Sequence, residues 1–133
     1  MTDQLPVNLE AALGQFDELW SPHVAATFNA HDARVAKFLG EYVWHAHDST
    51  DEFFMVLAGE LEIALRDSPG SERTVSMAKG AVFVVPKGTE HKPMAPTGAS
   101  VLMIEASGTV SVGDRHDEVP DYIDVTTGRS LPS

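Results

Sequence analysis

The stretch Glu60-Leu61-Glu62-Ile63-Ala64-Leu65-Arg66 decides the fold class. Leu61, Ile63 and Leu65 alternate with Glu60, Glu62 and Arg66, so a strand here has one apolar and one polar face. Ser68-Pro69-Gly70-Ser71 follows as a turn, and residues 74–77 return as a strand. Upstream, residues 24–30, 35–39, 41–47 and 53–57 read as strands, with His31-Asp32 as a turn. Downstream, residues 81–85, 91–95 and 100–106 complete the set. Nine or ten short strands bounded by turn residues predict an all-β, antiparallel sandwich or barrel.

Leu9, Leu13, Phe16 and Trp20 form an apolar helical stripe ahead of the strands. Asn8 is its N-cap and Ser21-Pro22 its end. The expected organisation is an N-terminal arm and short helix over 1–22, a strand domain over 23–107 and a polar tail over 108–133. Residues 110–112 and 122–125 are candidate edge strands in that tail, which is expected to pack on the domain or on a partner subunit.

A chain of 133 residues with 43% hydrophobic content builds one domain with a core. A net charge of −11 without a Lys/Arg cluster disfavours nucleic acid and anionic membrane as partners. The chain has no cysteine, which excludes disulfides, thiolate metal sites and cysteine nucleophiles. Met1-Thr2-Asp3-Gln4 lacks the features of a signal peptide, and no apolar run approaches the ~20 residues of a membrane span. A cytoplasmic protein is the expectation.

Chemistry concentrates in Trp44-His45-Ala46-His47-Asp48-Ser49-Thr50-Asp51-Glu52. Residues two apart on a strand share a face, with Cβ atoms roughly 6–7 Å apart, so His45 and His47 can converge on one ion. Glu52 begins the returning strand and can face the same pocket. Asp51, one position earlier, points to the opposite face and is the weaker competitor. In Gly80 to His91, the Gly80, Pro86 and Gly88 turns aim His91 at the next strand, where a third imidazole completes the set. Imidazole and carboxylate together suit a divalent Mn, Fe, Ni, Cu or Zn ion.

These two stretches resemble the motifs of the cupin superfamily. Gly40, His45, His47, Glu52 and Gly59 stand at the positions of its first motif, and Gly80, Pro86, Gly88 and His91 at those of its second. Ala95 replaces the usual asparagine, and the gap from Gly40 to His45 is one residue shorter than usual; neither touches a ligand position. The resemblance, over about residues 24–107, implies a jelly-roll β-barrel and a metal held by His45, His47, Glu52 and His91. It also implies frequent homodimers. Dioxygenases, isomerases, decarboxylases, storage proteins and ligand sensors all occur in the superfamily. The expected function is therefore a metal-dependent enzyme on a small organic molecule, with a non-catalytic small-molecule-binding module as the alternative and an ion-free structural barrel as the third reading.

Glu90 and Glu105 are candidate partners that orient an imidazole N–H. His23, His31 and His116 lack companions and are expected at the surface. Phe54, Val56, Phe83, Val85, Met94 and Met103 are expected to line the interior, and Tyr42, Trp44 and Lys92 to offer polar handles near its mouth.

Overall fold

The computed structural model describes residues 5–132, so the start of the arm expected within 1–22 lies outside the described residues. One short helix, α1 (Leu9–Leu13), precedes nine strands: β1 (His23–Phe28), β2 (His31–Glu41), β3 (His45–Ala46), β4 (Glu52–Ser68), β5 (Ser71–Ala78), β6 (Val82–Val85), β7 (Glu90–Ala106), β8 (Arg115–His116) and β9 (Arg129–Ser130).

Asn8 caps α1 as expected, its side chain accepting a bond from the Ala11 N–H. The helix stops at Leu13, however, not at Ser21. Gly14 follows, a poor helix former. Beyond it the backbone is claimed by the sheet, with Trp20 N–H donating to the Lys37 carbonyl at 2.8 Å. Phe16 and Trp20 are buried, Trp20 stacking on Phe38 at 4.2 Å, so the stripe is core but not helix.

The expected turn at His31-Asp32 lies two residues earlier. Asn29 has φ +53°, a left-handed conformation that asparagine tolerates, and His31 already pairs with Phe28. β4 and β7 each merge two expected strands into one of 17 residues. They run antiparallel along almost their whole length and shift register between Val56 and Ala58 and between Gly59 and Glu62. At these bulges the ribbon passes from one leaf of the sheet to the other. The first half of β4 pairs with β6 and with the second half of β7; its second half pairs with β5 and with the first half of β7.

The main path of the sheet is β5-β4-β7-β2-β1-β9, and the ladder does not close into a barrel. The two leaves are joined by side chains instead. Phe54 and Val56 from one pack with Leu61, Ile63 and Leu65 from the other in a single buried cluster. Phe54, Val56, Val85 and Met103 are buried as expected and Phe83 packs against them partly exposed, but Met94 is half-buried on the face opposite Pro93 and Ala95.

Gly59 sits at the crossing of the ribbon with φ +76°, and a Cβ there would lie 2.1 Å from the Gly98 carbonyl oxygen. Gly59→Ala is expected to cost at least about 2 kcal/mol, backbone strain plus a clash with main chain. Gly70 has a similar φ, +74°, but open space around it, so Gly70→Ala carries the strain alone. Urea unfolding of both variants checks this, and equal losses would refute the close-approach explanation.

The tail is mostly irregular. Residues 110–112 and 122–125 are not strands; Ser111 N–H donates to the Thr126 carbonyl as a single contact within irregular chain. The strands there are β8, paired with β3, and β9, paired in parallel with β1.

Candidate metal centre

Three strands and the loop after one of them deliver the candidate ligands. His45 lies on β3, directly opposite His91 on β7. His47 follows β3 by one residue, and Glu52 opens β4. The two motif-bearing loops are bound to each other: Gly88 N–H donates to the His47 carbonyl at 2.7 Å, and Lys87 N–H to Asp51 Oδ1 at 2.9 Å. That second bond turns Asp51 to the exposed side while Glu52 is buried, as strand alternation requires.

His45, His47, Glu52 and His91 are all buried, and one potential ligand atom from each lies within 4.8 Å of the others. His91 Nε2 is 3.0 Å from Glu52 Oε1, and His47 Nε2 is 3.5 Å from the same oxygen. The ring centroids of His45 and His91 are 4.2 Å apart and those of His45 and His47 5.1 Å. His45 Nδ1 lies 3.0 Å from the Val43 carbonyl and His91 Nδ1 2.9 Å from the Thr89 carbonyl. A carbonyl accepts only, so each Nδ1 carries the proton; His45 Nε2 then presents a lone pair inward, while His91 Nε2 faces the Glu52 carboxylate at the position an ion would share. Backbone carbonyls therefore orient these rings, not Glu90 or Glu105. Glu90 instead forms a partly exposed ion pair with Arg66.

The electrostatics favour a neutral His45 and a charged Glu52, while His47 would give up a proton to take an ion. Burial, reinforced by His91, pulls the His45 imidazole down to about 3, so it is neutral and free to ligate. Burial acts the same way on His47, but the Glu52 carboxylate and Asp114 outweigh it and leave that ring raised. Burial pushes the Glu52 carboxyl up, yet its Glu105, His47 and His91 neighbours hold it well below the ordinary carboxylate range. Neither ring nitrogen of His47 makes a well-formed hydrogen bond, Nε2 having only Glu52 Oε1 at 3.5 Å, although both are buried. A divalent ion among the four groups would satisfy one of these nitrogens, so the donor set fits a metal.

A narrow cavity adjoins the cluster, bounded by His45 and Glu52 and by Trp20, Tyr42, Glu105 and Ser111 among others. Tyr42 is thus placed at the site, and burial pushes its phenol up. Trp44 and Lys92 are not. Trp44 lies under the Arg66 guanidinium at 3.8 Å, with Lys92 at 5.7 Å, in a partly exposed stack. His31 and His116 are exposed as expected, whereas His23 is buried, stacked on Phe16 at 3.8 Å.

Arg34 is the residue that sequence reading passed over. It is fully buried on β2 and uses all five N–H groups: on Asp32, on Glu105 at 2.8 Å, and on the Thr109 and Thr127 carbonyls of the tail. The visible signal was Asp32-x-Arg34, opposite charges on one strand face inside an apolar run.

The family model of the cupin domain (Cupin_2) matches residues 39–106. The chain belongs to the cupin superfamily. This cupin is 36% identical over 85 residues to the Bacillus subtilis protein YdbB, covering 64% of this chain and 72% of YdbB. It is 27% identical over 103 residues to the 3-hydroxyanthranilate 3,4-dioxygenase of Xanthomonas campestris, covering 75% of this chain and 58% of the dioxygenase. The chain thus spans little more than half the length of that enzyme. A crystal structure of a cupin-2 domain protein from Shewanella frigidimarina superposes with a TM-score of 0.70 at 39% identity, covering 75% of this cupin and 93% of the other chain. The matched segment contains all four clustered residues and excludes Trp20, Arg34 and Ser111.

Proposed function

We propose that this cupin is a metal-dependent enzyme acting on a small organic molecule, with His45, His47, Glu52 and His91 holding one divalent ion. We read residues 23–107 as a jelly-roll domain that presents this centre in its interior. The observation that carries the reading is the buried convergence of the four groups, with neither His47 ring nitrogen in a well-formed hydrogen bond. Buried polar atoms are rarely left so unless a ligand completes them.

A bound ion would supply Lewis acidity, or dioxygen activation if it is iron or copper. The chain supplies the rest. The Val43 and Thr89 carbonyls hold two imidazoles in the tautomer that ligates. Glu52 brings the negative charge that offsets part of the ion's. Phe54, Phe38 and Met103 line an apolar wall that restricts water beside the centre. The similarity to a dioxygenase supports oxygen chemistry over isomerisation.

Oxygen uptake by the iron(II)-loaded protein on a panel of catechols, aminophenols and diketones tests the enzyme reading. Uptake that depends on substrate and is lost in His45→Ala is the expected result. Absence of uptake across the panel with saturating iron would leave the second reading, a non-catalytic binding module.

A further inference from the structure

The cavity beside the cluster is apolar except for Tyr42, His45, Glu52, Glu105 and Ser111. Glu105 is set apart from the others. Its Oε1 accepts from Arg34 at 2.8 Å, while its Oε2 is buried with the Glu52 carboxyl as its polar neighbour and, among the described residues, no N–H donor in bonding geometry. The side chain is 3% exposed, so water does not reach it from outside. Glu52 beside it is itself an acceptor, already engaged with His91 at 3.0 Å.

We propose that Glu105 contacts the molecule bound at the ion and selects an uncharged hydroxyl group for the cavity. The inference rests on the metal-binding reading above. A hydroxyl both donates and accepts, so it complements Glu105 whether or not that carboxyl carries a proton. A carboxylate or phosphate only accepts, and here it would face two acidic side chains. No Lys or Arg lines the cavity to offset it, and every N–H of Arg34 is engaged elsewhere. The space of about 20 Å³ fits one group of this size. Arg34 acts as the positioning residue, since its bond to Oε1 turns Oε2 toward the cavity.

The test is the binding of two small probes to the cobalt(II)-loaded protein, followed by the visible absorption of the ion. Ethylene glycol carries uncharged hydroxyls; acetate is of similar size and accepts only. The intrinsic preference of the ion cancels when the ratio of the two dissociation constants is compared between variants. In Glu105→Gln, Arg34 demands the amide oxygen, so the NH2 must face the cavity and donate. The ratio is expected to shift toward acetate by about tenfold or more. Glu105→Asp keeps the charge but withdraws the oxygen by one methylene, and it should weaken ethylene glycol without weakening acetate. Because the two variants differ in how they treat the Arg34 contact, loss of folding in one leaves the other as the test. A ratio within twofold of wild type in loaded, folded protein overturns the inference alone. A wild-type protein that takes up no cobalt overturns the metal reading and the inference with it.

Discussion

Replacing His91 by alanine is expected to lower affinity for a divalent ion by at least about 100-fold, more than the 10–100-fold typical of losing a group one shell further out. His91 is the hub of the cluster. It pairs in register with His45, lies 3.0 Å from Glu52 Oε1, and is held by the Thr89 carbonyl at 2.9 Å. Removing it leaves two imidazoles and one carboxylate with a gap on the β7 side. His116→Ala is the control, because that exposed ring lies outside the cluster. Competition against a chromophoric chelator gives the affinities, and circular dichroism confirms that both variants fold. The same contrast should appear in stability. An ion at 100 times its dissociation constant stabilises the folded state by about 2.7 kcal/mol, so added metal should raise the wild-type melting temperature and not that of His91→Ala. Equal metal affinity in wild type and His91→Ala would remove the basis for the proposed function.

The candidate cluster was legible because its signals are local. Two histidines at i and i+2 and a carboxylate at a strand start each require only a few residues of context. The Gly-Pro-Gly spacing before His91 points to a turn without knowledge of the partner strand. What was not legible depends on distant partners. Gly59 and Pro96-Thr97-Gly98 look like breaks, yet β4 and β7 run through them as bulges because each strand templates the other. The helical stripe was cut short because Trp20 and Lys37 share a backbone bond that propensity does not encode. Glu105 could be named as a candidate partner, but its true partner Arg34 lies 71 residues away. Strand count left sandwich and barrel open and the cupin resemblance implied a barrel, while the ladder ends at β5 and β9 and side chains seal the core.

Arg34→Met is expected to cost about 3–5 kcal/mol of folding free energy, a large share of the roughly 5–15 kcal/mol typical of a domain. Methionine fills much of the volume, so the loss is electrostatic rather than a cavity. It leaves Asp32 and Glu105 buried without their cation, and it strands the Thr109 and Thr127 carbonyls. Breaking a buried pair costs far more than the intact pair contributes, because the remaining charge keeps its desolvation penalty. That asymmetry makes a second variant decisive. Arg34→Met combined with Asp32→Asn and Glu105→Gln removes the orphaned charges and should recover a substantial part of the loss. Arg34→Lys should not rescue, since one ammonium with three donors cannot reproduce a planar fork with five. Urea unfolding gives the free energies, and a single-variant loss below 1 kcal/mol would show that the network is not what holds Arg34 in place. The tail supplies an independent reading of the same contact. Arg34 bonds it at two points, and Asp124 ties it to the N-terminal segment through Ser21 Oγ at 2.7 Å. With Arg34 gone, the stretch between Thr109 and Thr127 should be cut faster by protease while the sheet stays intact. Ser111 lies in that stretch and lines the cavity, so the fastening of the tail and the shape of the candidate site depend on one buried guanidinium.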